Sequence, residues 1–168
     1  VIVPLLLNNG TITGNKITVG MGEVRNNSSI SINGSLEGGK ITNNSNGTMT
    51  LGGINAANGI ENFGKIEGAN GITNVNIIVS DDSGEIINRG EININGEIQT
   101  KNGKIYNTDS LTAGTIITNG QVRNDANGKI SITDTINANS LYNSGSVSGK
   151  KLITPGGLTN GGFSAGTN

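Results

Sequence analysis

The sequence predicts an all-β fold, a parallel β-helix or solenoid of about ten coils with Asn-x-Gly corners. Three observations carry that prediction. Apolar residues recur with period two in short runs such as ISING, EININGEI and KISITDTI, and such alternation marks half-buried strands. Asn and Gly, 28 of each, fill one third of the 168 residues, a bias that signals disorder in an unpatterned chain but corner residues in a patterned one. An aliphatic residue also stands two positions before an Asn at intervals of 12 to 19 residues along the whole chain. Those intervals are too short for a strand-helix-strand unit and too long for tight hairpins, but they fit one solenoid turn of two or three short strands.

The anchors of this repeat are Asn8, Asn26, Asn43, Asn62, Asn74, Asn88, Asn107, Asn124, Asn143 and Asn160. The aliphatic residues before them, predicted to form one inward column, are Leu6, Val24, Ile41, Ile60, Ile72, Ile86, Ile105, Val122, Leu141 and Leu158. Four residues after the anchor stands a second apolar column of Ile12, Ile30, Ile66, Ile78, Ile92, Leu111 and Val147. It slips to six residues after the anchor at Met49 and Ile130, where Asn46-Gly47 and Asn127-Gly128 lengthen the corner. In the last coil Ser164 stands at the apolar position.

Gly follows the anchor by two residues at Gly10, Gly64, Gly90, Gly145 and Gly162. This reads as a tight corner that needs a left-handed backbone, not as a phosphate loop, since no helix follows. An Asn at the same corner of successive coils can donate its amide NH₂ to the amide oxygen of the next, so the anchors are predicted to form a continuous side-chain ladder. Ten coils at the ~4.8 Å strand spacing give a rod roughly 45 Å long. The whole of residues 1–168 reads as a single solenoid domain. The apolar segment Val1-Ile2-Val3-Pro4-Leu5-Leu6-Leu7 is suited to cap the first coil or to add as a strand to a second copy, which gives head-to-tail self-association.

Composition excludes several functions. The chain has no Cys and no His, which removes thiol nucleophiles, disulfides, imidazole bases and the commonest transition-metal ligands. A net charge of −1, with 11 basic and 12 acidic residues intermixed, offers no field for a nucleic acid. No apolar run approaches the ~20 residues of a membrane span. Carboxylates at Asp81, Asp82, Asp109, Asp125 and Asp134 share no column, so no catalytic centre, metal or cofactor is expected. Asp81 and Asp82, in SDDSGE, read as an exposed loop. Thr-x-Thr pairs at Thr11 and Thr48 are too sporadic to order water.

One outward column stands out, because the position before the anchor holds Ile87, Tyr106, Arg123, Tyr142 and Thr159 in consecutive coils. Phenols two rungs apart, about 9.6 Å by the strand spacing, can stack on sugar rings while Arg123 donates hydrogen bonds. The alternative reading is a ladder of mutually packed strand residues with a cation–π contact. Three residues before the anchor, Glu23 with Lys40 and Glu85 with Lys104 read as register-fixing pairs of opposite charge.

The units LTNGG, LYNSGSVSG and IENFGKIEGANGITN resemble the repeats of filamentous haemagglutinin and related two-partner secretion exoproteins, over nearly the whole chain from Leu6 to Gly162. The interval from Asn62 to Asn74 is shorter than that family's coil. The resemblance implies a secreted or cell-surface protein, bacterial, that acts as a fibrous adhesin or stalk in surface attachment or biofilm cohesion. Its partner would be a surface glycan or protein receptor. A self-assembling subunit of an extracellular filament or matrix is the alternative.

Overall fold

The computed structural model describes residues 4–161 as nineteen strands, every pair of which is parallel. The strands stack into three faces. The first face begins with Leu5–Asn8 and Glu23–Asn26 and ends with Leu158–Asn160. The second runs from Thr11–Gly14 to Ser146–Ser148, and the third from Ile17–Thr18 to Lys151–Ile153. Where a corner is gentle, a single strand turns through two or three faces, as do Ser29–Asn43 and Thr48–Asn62.

The core follows from alternation. On the first face Leu6, Val24, Ile41, Ile60, Ile86, Ile105, Val122, Leu141 and Leu158 lie in one register column. All but the outermost two are buried. The second column also forms, with Met49 and Ile130 in register with Ile30 and Leu111. A third column, without counterpart in the sequence reading, joins Ile17, Leu36, Ile54, Ile77, Ile98, Ile116, Ile136 and Leu152 on the third face. Three inward columns meet at the axis, and each fully buried aliphatic side chain stabilises the stack by about 1.5–3 kcal/mol. Single coils bury nothing, so this term exists only between neighbours.

Three expectations are corrected. Among the described residues the stack has nine rungs and about eight turns, because Asn62 is followed on the next rung by Asn88, 26 residues on. Eight steps at ~4.8 Å make the rod about 38 Å long. Asn74 and Ile72 belong to no column. They lie in a turn over residues 69–75 whose ends, Ala69 and Val75, are buried. Ile72 packs half-buried against the core outside the register, Asn74 is exposed, and the Ile72 N–H donates to the Ala69 carbonyl at 3.2 Å. With that anchor gone, Ile78 faces outward and Ile77 takes the core position.

The corner glycines also have a different cause from the one expected. Positive φ among the described residues occurs at Gly20, Gly59, Gly71 and Gly157, and not at Gly10, Gly64, Gly90 or Gly145, nor in the lengthened corners at Gly47 and Gly128. A carbon atom added to Gly64 would come within 2.2 Å of the Gly47 carbonyl oxygen, and one on Gly90 within 2.2 Å of the Gly64 oxygen. The corner is glycine because the preceding coil's backbone occupies the side-chain space, and Gly10, on the first described rung, has nothing within 4 Å. Gly162 and Ser164 lie outside the described residues, as does the start of the apolar segment. Its remainder forms the first rung, with Leu5 and Leu7 exposed and Leu6 half-buried.

Candidate functional site

The predicted ladder is present with eight bonds. From Asn8 through Asn26, Asn43, Asn62, Asn88, Asn107, Asn124 and Asn143 to Asn160, each Nδ2 donates to the Oδ1 of the next Asn at 2.7–3.0 Å. Each amide does more than stack. Asn107 also donates to the Asp109 carbonyl at 2.8 Å, and Asn88 to the Ser110 carbonyl at 2.8 Å. Asn8, Asn88 and Asn143 accept through Oδ1 the N–H of the glycine two residues on. Among the described residues no buried side-chain polar atom lacks a partner, so the buried amides carry no uncompensated desolvation. The ladder is structural, and its bonds all point the same way, donor toward the C-terminal coil.

Outward, Ile87, Tyr106, Arg123, Tyr142 and Thr159 occupy consecutive rungs as predicted. The Arg123 guanidinium carbon lies 5.1 Å from the Tyr106 ring centroid and 5.3 Å from that of Tyr142. Arg123 thus fills the space between the phenols, and a sugar ring can stack only on their remaining surfaces. Asp125 ties the group together, accepting from Arg123 Nε at 3.0 Å and from the Tyr106 hydroxyl at 2.9 Å. The bond from Arg123 is the main cause that holds the Asp125 carboxyl below the usual aspartate range.

Donation to that carboxylate raises the Tyr106 phenol above the ordinary tyrosine range, with desolvation adding to it. Ultraviolet titration of a Tyr142→Phe variant is therefore expected to show Tyr106 ionising later than a free tyrosine. Adding Asp125→Asn should move that ionisation to lower pH. An unchanged titration would mean that the hydrogen bond does not govern the phenol.

The cluster extends further than the sequence reading reached. Phe63 and Arg89, each one residue after its anchor, sit on adjacent rungs with the Arg89 guanidinium carbon 5.3 Å from the Phe63 centroid. Arg89 is close enough to act electrostatically on Tyr106. The Phe63–Arg89 pair and the Tyr106–Arg123–Tyr142 stack therefore lie in neighbouring outward columns, one after and one before the anchor, and together make a ring–cation ridge over five successive rungs, about 19 Å long by the strand spacing. Beside it opens a cleft of about 450 Å³ bounded by Thr108, Arg123, Asp125, Ala126, Asn127 and Ser144. Among the described residues Arg89 has no carboxylate partner, whereas Arg123 has Asp125.

The remaining charges serve the surface. Glu23 and Lys40 adjoin in register, but Glu23 pairs with Arg25 at 2.8 Å and Lys40 with Glu61 at 3.2 Å. Glu85 and Lys104 are also neighbours across the rungs, without an ion pair between them among the described residues. Short reach favours a partner two residues along or on the next rung over one fixed column, and such exposed pairs contribute only ~0.2–1 kcal/mol. Asp81 and Asp82 lie in an exposed loop, where Asp82 pairs with Lys101 at 2.6 Å. The described residues contain no group of three or more acidic side chains placed to hold a metal ion, and no helix long and apolar enough to cross a membrane.

Compared with known protein families, curated proteins and solved structures, the chain matches none.

Proposed function

We propose that this chain is a non-catalytic, rod-forming segment of a secreted or cell-surface bacterial fibre that attaches its bearer to surfaces or to neighbouring cells. The ring–cation ridge carries the reading. A solenoid needs inward side chains to stack, but nothing in its stability requires Phe63, Tyr106, Tyr142 and two arginines on one outer corner. Exposed aromatic faces stack on sugar rings, and guanidinium groups donate hydrogen bonds to hydroxyl or carboxylate oxygens. The Asp125 cleft beside the ridge adds polar partners. The resemblance of the Asn-x-Gly units to haemagglutinin-type repeats supports the same reading.

Binding of the purified chain to a glycan array tests it. Retained glycans should be lost on Tyr106→Ala with Tyr142→Ala, while far-ultraviolet circular dichroism stays unchanged. Binding that survives both substitutions, or no binding to any glycan or host-cell surface, would remove the ridge as an adhesive site.

A second reading, a subunit that polymerises, draws on one observation. Leu6 on the first described rung and Leu158 on the last belong to the inward column, yet Leu6 is only half-buried and Leu158 is 46% exposed; a further coil, of this chain or of another copy, would cover them. Ordered fibres grown from the purified chain would favour it.

A further inference from the structure

Ten Asn-Gly pairs run through the sequence. In any such pair the glycine nitrogen, unshielded by a Cβ, can attack the asparagine side chain. The fold closes that route at most of them. In six pairs a hydrogen bond holds the glycine N–H: Gly10 to Asn8 Oδ1, Gly47 to Asn44 O, Gly96 to Val75 O, Gly120 to Thr118 Oγ1, Gly128 to Asp125 O and Gly161 to Asn143 O. In three more the glycine is pressed against the backbone of another coil. A carbon atom on Gly34, Gly59 or Gly103 would come within 2.1, 2.5 or 1.9 Å of the carbonyl oxygen of Asn15, Glu85 or Gly84.

Asn70-Gly71 has neither restraint. It lies in the turn over 69–75, both residues are exposed, and nothing lies within 4 Å of the side-chain position of Gly71. Asn9-Gly10 is as open, but there the Gly10 N–H is held by Asn8 Oδ1. Neither the Gly71 N–H nor the Asn70 amide makes a hydrogen bond among the described residues. The turn borders an open cleft of about 350 Å³ that admits water. Its far side is anchored, since Asn95 donates to the Ile72 carbonyl at 2.9 Å and accepts the Val75 N–H at 3.0 Å. Movement is left to the segment before Ile72.

We propose that Asn70 is a site of spontaneous deamidation, the one Asn-Gly pair that the folded solenoid leaves reactive. Base removes the Gly71 amide proton, the nitrogen bonds to Asn70 Cγ, and the Cγ–Nδ2 bond breaks to release ammonia. Water then opens the cyclic imide at either carbonyl, which gives aspartate or isoaspartate. The product places a new carboxylate in the turn beside Glu67, and the isoaspartyl form lengthens the backbone there by one methylene.

Peptide mapping by mass spectrometry after incubation at mildly alkaline pH, folded and in urea, decides the matter. In the folded chain Asn70 should convert about tenfold or more faster than any other Asn-Gly pair, because the others react only after local opening. In urea all ten pairs should convert at comparable rates, and Asn70→Gln should abolish the folded-state product. Conversion of Asn46 or Asn127 as fast as Asn70 in the folded chain would overturn the proposal. So would an Asn70 that reacts in urea but not when folded.

Discussion

Asn107→Asp is expected to destabilise the solenoid by about 3–5 kcal/mol at neutral pH, the range for a buried charge left without a counter-ion. Asn107 is fully buried, and its Nδ2 donates to Asn124 Oδ1, to the Asp109 carbonyl and to the Lys129 carbonyl. A carboxylate there would face three acceptors and offer no proton. Its pKa in the folded state is therefore raised above the unfolded value. The folded state then binds the proton more tightly, so the deficit is smallest below the unfolded pKa and grows as pH rises through the folded one. Asn107→Ala should cost less, about 1–3 kcal/mol for the Asn124 Oδ1 left unpaired, because Asn88 Nδ2 keeps the Ser110 carbonyl and the Asp109 carbonyl keeps the Lys129 N–H; it should show no such pH dependence. Chemical denaturation of both variants across the acidic range measures the difference. A wild-type midpoint for Asn107→Asp at neutral pH would mean that the ladder contributes nothing.

Gly90→Ala should lower stability by about 1–3 kcal/mol or more through overpacking, since the added carbon would meet the Gly64 oxygen at 2.2 Å and the Phe63 carbonyl carbon at 2.7 Å. Gly90→Asn separates the two explanations of the corner. A left-handed corner would tolerate Asn, whereas a backbone contact rejects it as firmly as Ala. Gly10→Ala is the control. Its side-chain position is open, and an effect within about 0.5 kcal/mol is expected. Equal losses at Gly10 and Gly90 would show that contact with the preceding coil is not the cause.

The first two core columns were legible because they keep a near-constant distance from a conspicuous residue, the buried Asn. The third was not, because the chain between anchor and third face varies in length. Ile17 follows Asn8 by nine residues, but Ile77 follows Asn62 by fifteen. The turn over 69–75 misled for a local reason, since Ile72 and Asn74 repeat the aliphatic-x-Asn spacing without joining the strand register. That false anchor put an extra rung between Phe63 and Arg89. Composition showed which residues could form a ridge, but only the true register shows that they meet. Corner glycines looked like turn chemistry because the sequence carries no sign of the neighbouring coil's carbonyls.

The one-way ladder makes each turn an interchangeable part. If residues 27–43 were lost, Asn26 would meet Asn62 where it now meets Asn43, with the same donor and acceptor presented at the break. A gain or loss of any whole turn leaves every amide matched, whereas a change of part of a turn strands one of them. Length in such a rod can thus be inherited in whole-coil increments, while the side chains that decorate a given height drift independently of the scaffold beneath them.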